Sequence, residues 1–296
     1  MSATIIGQLS RRTPVIVQGA TGRTGSVHVR RMREFGTNIV AGVSAREGAE
    51  SIEGVPVFRD CAAAIAATGA NVSLAMVPPL NVLAAIEDAL SAGIKLIVTP
   101  AEGMPVHDAL RVGRIVRQAK ATWVGASTPG LAVPGEMKLG FLPDVSLAPG
   151  PLGIMSKSGT LSYEVGYRLT QIGLGQSIWV GVGGDAVKGV RFADLIDTFN
   201  ADARTRGIVL IGEVGGNEEE EFADTLAKSS IRKPVYALVA GRGAKEGVAM
   251  GHAGALTFGD VGTFASKKQR LEAAGARVFA TIDELIAACR NDFPIK

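Results

Sequence analysis

An α/β fold on parallel sheets is predicted by three observations on these 296 residues. Short β-branched runs alternate with longer Ala, Leu and charged stretches along nearly the whole chain, which is the rhythm of strand–helix–strand units. The strand candidates are apolar almost throughout, not at every second residue. Both faces of each sheet must then be covered by helices, and sheets covered in that way are parallel. Glycine is abundant, at 38 residues, while aromatic residues are only 5% of the chain. Tight strand-to-helix turns and ligands lying against bare backbone use glycine in this way.

Taken in order, the first half offers strands at 14–19 (PVIVQG), 38–43, 72–77, 94–99 and 122–125. The second half offers 152–156, 177–182, 207–212, 234–240 and 276–279. Helical spacing fills 23–35, 80–92, 105–119, 160–173, 191–200, 217–229, 261–274 and 281–290. The rhythm stops once, over 126–151, where five prolines and no helical period mark a domain boundary or a functional crossing segment. Two domains are expected, 1–148 and 149–296, in keeping with the length.

Bulk composition excludes several classes. Hydrophobic residues are 47% and charged residues 20%, enough for a sizeable core and contrary to disorder. The net charge is +3, which makes no case for nucleic acid or a membrane as partner. Cys61 and Cys289 are too few for a disulfide framework, and their Ala-rich helical settings suit buried thiols in a reducing compartment. His28, His107 and His252 share no ligand spacing, so no metal is expected. With no apolar run near a membrane span and no secretory leader in MSATIIGQLSRR, a soluble cytoplasmic chain is expected.

The first strand runs into Gly19-Ala20-Thr21-Gly22-Arg23-Thr24-Gly25, which opens the first helix. Glycines let backbone amides approach an anion, and a helix N-terminus supplies partial positive charge, so the loop reads as a phosphate cradle. A merely tight strand-to-helix turn would use the same residues. NAD would require an acid at the tip of strand two, but that strand ends Gly42-Val43-Ser44-Ala45-Arg46. Arg46 suits an extra ribose phosphate, as in NADP or coenzyme A; a solvated loop cation is the plainer reading.

Three polar loops follow strands of the second half. Ser156-Lys157-Ser158-Gly159-Thr160 stands at a helix start, an anion site that plain N-capping by Ser158 would also explain. Gly212-Glu213-Val214-Gly215-Gly216 places an acid at a strand's carboxyl end. In Met250-Gly251-His252-Ala253-Gly254 the small flanks leave an imidazole accessible to a bulky partner. A neutral imidazole nitrogen is a competent nucleophile toward a phosphoryl group, and Glu213 is the acid available to fix its tautomer. No G-x-S-x-G elbow supports a serine-hydrolase triad.

GATGRTGS, GIMSKSGTLSYE, IGEVGG and MGHAGAL with LEAAGARV behind it occur in one order. With them the chain resembles the α subunit of succinyl-CoA synthetase and its relatives, the nucleoside-diphosphate-forming acyl-CoA ligases, malate–CoA ligase among them. The resemblance runs from near residue 13 to the end. It implies a Rossmann-like CoA-binding domain followed by a flavodoxin-like one. It implies a histidine phosphorylated from ATP or GTP at His252, steadied by Glu213, with phosphate held by Ser156, Lys157 and Ser158. Tyr163 matches a substrate-site tyrosine. The CoA cradle matches Thr21, Gly22, Arg23 and Thr24, with a second strip at Pro100, Ala101 and Glu102.

The family reaction passes a phosphoryl group from nucleotide to histidine to a carboxylate, and CoA then displaces phosphate from the acyl phosphate. Its nucleotide and Mg site is an ATP-grasp domain on a β subunit, so a heterodimer or heterotetramer is implied. The chain departs from the family twice. Where relatives carry a CoA-contacting lysine it reads Ala45-Arg46-Glu47, with Glu47 at that place and Arg46 beside it. Where relatives read GPNCPG it reads Gly125-Ala126-Ser127-Thr128-Pro129-Gly130, which points to a changed acid substrate or to a paralogue with drifted activity. An NADP-linked reductase using GATGRTG and a non-catalytic CoA-binding paralogue are the alternatives. The first leaves the GHAG and SKSGT loops without purpose. The second predicts loss of a nucleophile, yet His252 is present.

Overall fold

Each of the ten β-branched runs is a strand in the computed structural model, which describes residues 3–45, 48, 50–243 and 262–294. The first sheet holds β1 (Val15–Gln18), β2 (Ile39–Val43), β3 (Ser51–Ile52), β4 (Val55–Phe58), β5 (Val72–Ala75), β6 (Leu96–Thr99) and β7 (Thr122–Gly125), in the order β3-β4-β2-β1-β5-β6-β7. The second holds β8 (Gly130–Val133), β9 (Met137–Gly140), β10 (Pro149–Ser156), β11 (Gln176–Gly181), β12 (Gly207–Glu213), β13 (Val235–Ala240) and β14 (Arg277–Phe279), in the order β14-β13-β12-β10-β11-β8-β9.

The sheets are mostly, not wholly, parallel. The exceptions are β3 against β4, and β8 against both β9 and β11. Both hairpins arise from turn chemistry, not from hydrophobic period. Glu53 and Gly54 join β3 to β4 with φ of 48° and 72°, the pair of left-handed residues that a two-residue hairpin needs. Pro134-Gly135-Glu136 joins β8 to β9, so the proline-rich stretch without helical period contributes two strands to the second sheet.

Helices occupy the predicted stretches, among them Arg23–Phe35, Val82–Ser91, Val106–Gln118, Gly159–Gln171, Glu218–Lys228, Phe264–Ala273 and Ile282–Asp292. The stretch 191–200 opens as a 3-10 turn, Phe192–Leu195, before the helix Ile196–Ala201. Cys61–Thr68 is a further helix, capped by Asp60 accepting from the Ala63 N–H. Cys61 and Cys289 are both buried and free, and burial pushes the Cys289 thiol up to about 12. No described helix is long and apolar enough to cross a membrane.

Successive residues of β1 point to opposite faces. Val15 and Val17 enter a core that continues to Leu131, Val180 and Ile208 of the second sheet, while Ile16 packs with Ile86 and Val112. In each sheet the strand order reverses beside a central strand, β1 in the first and β10 in the second. Open α/β sheets bind their ligands beyond the strand ends at such a reversal.

Candidate functional site

The first crevice is shaped by two glycines. Gly19 leaves β1 with φ +73°, and a Cβ on Gly25 would come within 2.1 Å of the Gly19 carbonyl oxygen. Only glycine lets the helix Arg23–Phe35 begin this close to the strand. Its N-cap is Gly22, and no side chain caps its first turn. The Thr21 hydroxyl is instead hydrogen-bonded to Ser44 at the tip of β2, 2.8 Å away. Thr21, Gly22, Arg23 and Thr24 border a cavity of about 710 Å3 whose other walls include Ser44, Pro78, Pro100 and Ala101. That volume suits a ligand of nucleotide size. Glu102 is exposed and is not among the lining residues.

Arg59, which follows β4, also lines this cavity and was not singled out in the sequence. It comes to the cavity because β4 lies beside β2, and the Ser44 N–H donates to the Phe58 carbonyl. Arg23 and Arg59 are both exposed, and neither side chain has an acidic partner among the described residues. The crevice therefore joins bare amides at a helix start with two open guanidinium groups, a setting for phosphate.

The second crevice lies at the carboxyl ends of β10 and β12. Ser156 stands beside Ile211 in the parallel register, so Glu213 projects two residues further along. The Ser158 hydroxyl accepts from the Leu161 N–H at 3.3 Å and caps Gly159–Gln171. The Ser156 hydroxyl donates to the Ser158 carbonyl at 2.7 Å. Tyr163 lies one turn into the helix, half-buried, and burial raises its pKa, so the phenol is protonated at neutral pH. Glu213 is only 8% exposed.

Lys157 points into a buried ionic network. Its ammonium lies 2.9 Å from Glu219 Oε1 and 3.7 Å from Glu218. Burial works against the Lys157 charge, but Glu219 and Glu218 outweigh it and raise the pKa above the ordinary lysine value. Lys188 sits 2.7 Å from Glu218; there burial prevails, joined by repulsion from Lys157, and its pKa is lowered. Lys267, fully buried, is ion-paired with Glu219 and donates to the Gly215 carbonyl at 2.9 Å. Glu219 is also fully buried; burial opposes its charge, and Lys157 and Lys267 together hold its pKa below normal.

The structure thus brings Ser156, Lys157, Ser158, Tyr163 and Glu213 to one sheet edge, and Thr21–Thr24, Pro100 and Ala101 to the other. Arg46 and His252 lie outside the described residues. The residues flanking the stretch that carries His252 are described. A Cβ on Gly241 would meet the Val214 side chain at 2.5 Å, and the Gly262 carbonyl accepts from the Gly215 N–H at 2.8 Å. Both flanks therefore pack against the loop that follows Glu213. Between the two crevices runs 126–130, where the Ser127 N–H donates to the Ala101 carbonyl at 2.9 Å and the Thr128 hydroxyl donates to the Gly181 carbonyl. Among the described residues no group of three His, Cys, Asp or Glu could hold a metal ion.

Comparison with known proteins agrees with this geometry. Residues 10–103 match the CoA binding domain family and residues 155–277 match the CoA-ligase family. The chain is 45% identical over 284 residues to the α subunit of succinate–CoA ligase [ADP-forming] of Aquifex aeolicus, covering 94% of this chain and 93% of that one. It is 45% identical over 282 residues to α subunit 2 of the same ligase from Archaeoglobus fulgidus, covering 94% and 98%. Among solved structures, ATP citrate lyase from Methanothrix soehngenii, in complex with citrate and coenzyme A, superposes with a TM-score of 0.86 at 23% identity. That match covers 95% of this chain and 50% of the other, and it speaks to the fold alone. The identity to the curated relatives, sustained over nearly the full length of both partners, settles the lineage: the chain belongs to the family of succinate–CoA ligase α subunits.

Proposed function

We propose that the chain is the α subunit of a nucleoside-diphosphate-forming acid–CoA ligase, which makes an acyl-CoA from a small mono- or dicarboxylic acid through phosphohistidine at His252. One observation carries the reading: buried Glu213 stands beside the Ser156–Ser158 helix start, and the chain enters and leaves the His252 stretch against the loop after Glu213. An imidazole nitrogen of His252 takes the terminal phosphoryl group of Mg-ATP or Mg-GTP and releases the diphosphate. Glu213 orients the ring and offsets its positive charge. Ser156 and Ser158 with the helix start receive the phosphate. Lys157, whose ammonium is engaged by Glu219 and Glu218 and whose N–H donates to the Ile211 carbonyl, braces that loop instead of contacting the phosphate. A carboxylate oxygen of the acid, beside Tyr163, takes the phosphoryl group and becomes an acyl phosphate. CoA thiolate attacks the acyl carbon and expels inorganic phosphate.

In this division of labour residues 1–148 hold CoA, through Thr21–Thr24, Arg46, Pro100 and Ala101, with Glu102 outside the cavity wall, and residues 149–296 carry the phosphoryl chemistry. The nucleotide and its Mg are held mainly by an ATP-grasp β subunit in a heterodimer or heterotetramer. A nicotinamide role for the first cavity would leave the second crevice without a task.

The test is to mix the chain with its β partner and Mg-ATP or Mg-GTP and weigh it intact. One phosphoryl group per chain, lost on acid treatment and absent from His252→Asn, is expected. A stable adduct elsewhere, or none with either nucleotide, overturns the mechanism. Release of that phosphoryl group on adding succinate, malate or another acid then identifies the substrate.

A further inference from the structure

We infer that Glu219 and Lys267 are positioning residues that clamp Glu213 in place. The inference rests on the role proposed above for Glu213. The parallel ladder between β10 and β12 ends where β10 turns away at Lys157, whose N–H donates to the Ile211 carbonyl at 3.1 Å. The next backbone donor on that side of β12 is the N–H of Glu213, and the ladder offers it no strand. Glu219 Oε1 accepts it at 3.0 Å. Two residues on, Lys267 takes the Gly215 carbonyl at 2.9 Å. The two side chains are also ion-paired to each other. The backbone on both sides of Glu213 is thus fixed by one buried salt bridge, and Lys157 anchors that bridge to the serine loop.

The sequence makes room for this clamp. A Cβ on Gly212 would lie 2.5 Å from Glu219 Oε1 and 2.7 Å from its Cγ, so glycine at 212 is the condition for the carboxylate to reach the strand tip. Buried ion pairs add little stability over apolar packing, because desolvation offsets their attraction. What a buried network of hydrogen-bonded ion pairs does supply is a fixed geometry. Here that geometry is the direction in which the Glu213 carboxylate leaves the sheet.

The experiment uses the α chain with its β partner and Mg-ATP. Lys267→Met keeps the bulk but frees the Gly215 carbonyl. Misplacing a group by about an ångström can cost on the order of 100-fold. Phosphoryl transfer per folded chain, measured well below the melting temperature, should therefore fall about 10- to 100-fold. KM for CoA should stay constant, and amide exchange at Glu213 and Gly215 should quicken. A folded Lys267→Met chain with wild-type transfer and unchanged exchange overturns the inference, even if it melts earlier. Glu219→Gln, which keeps an acceptor for the Glu213 N–H but loosens Lys267, is judged by the same criteria if Lys267→Met does not fold. If the wild-type complex takes no phosphoryl group, the functional reading fails, and the exchange measurement still decides whether the clamp exists.

Discussion

The two crevices share a plan and differ in how it is filled. Each lies at the carboxyl end of a central parallel strand, and each faces the start of the next helix. In the first, the helix start has glycine at its N-cap and no side-chain cap, and two exposed arginines line a wide cavity. In the second, Ser158 caps the helix and the neighbouring lysines are buried in ion pairs. Donors left open suit a large ligand that brings its own phosphates and leaves again. Donors already satisfied hold a few atoms in one arrangement before any substrate arrives. On the proposed function, one topology would serve binding at one end of the chain and pre-organised chemistry at the other.

The strongest test of this contrast is Glu213→Gln. Removing a stabiliser of developing charge should lower the ligase rate by about 100-fold or more and leave CoA affinity unchanged. An equal loss of CoA affinity, measured by calorimetry, would mean that the two crevices are not separate in function. The next largest effect is expected in the first cavity. A charge-assisted phosphate contact is worth roughly 1.5–3 kcal/mol, so Arg59→Ala should weaken CoA about 10- to 100-fold. Running Arg46→Ala beside it with CoA and dephospho-CoA sharpens the result. The arginine that meets the 3′-phosphate is the one whose loss dephospho-CoA does not register.

Smaller effects fall on stability. Ser158→Ala removes a cap and should cost about 1 kcal/mol in denaturant unfolding. If it costs nothing, the contrast between capped and uncapped helix starts loses its energetic content. The smallest effect at neutral pH is the charge state of Glu219. Burial raises its pKa, but Lys157 and Lys267 outweigh burial and lower it. Its folded value therefore lies below the unfolded value of about 4.3. The stability it contributes is complete above that pH and is lost as pH falls through the folded pKa. Melting temperature followed from neutral pH downward should drop less steeply in Glu219→Gln than in wild type.

The fold was legible because its signals are local. The β-branched runs and helical periods found the ten principal strands and the longer helices. The two hairpins were not legible, because β3 and β4 are short and the Pro134–Glu136 turn lies in a stretch that reads as loop. The first cavity was half legible. Its glycine loop shows in the sequence, while Arg59 arrives through the pairing of β4 with β2, which no local pattern declares. The run Glu218–Glu221 reads as a solvated acidic face, yet Glu218 and Glu219 are buried. Their partners Lys157 and Lys267 are far away in the chain. One signal was available: Glu219 shares a helical face with Phe222, Ala223 and Leu226, all buried.

The crossing segment from Gly125 to Gly130 has a consequence for spacing. It leaves the last strand of the first sheet and enters β8, the strand next to the edge of the second, and on the way it is tied to Ala101 at the cavity and to Gly181 beside the serine loop. A tether of this kind acts as a gauge block. The separation between the two crevices is held by residues pinned at both ends, together with the core the two sheets share, and not by a pliant linker. An inserted or deleted residue at Ser127 or Thr128 would disturb both ties, and on the proposed reaction each crevice would keep its ligand better than the pair would keep the acyl transfer between them.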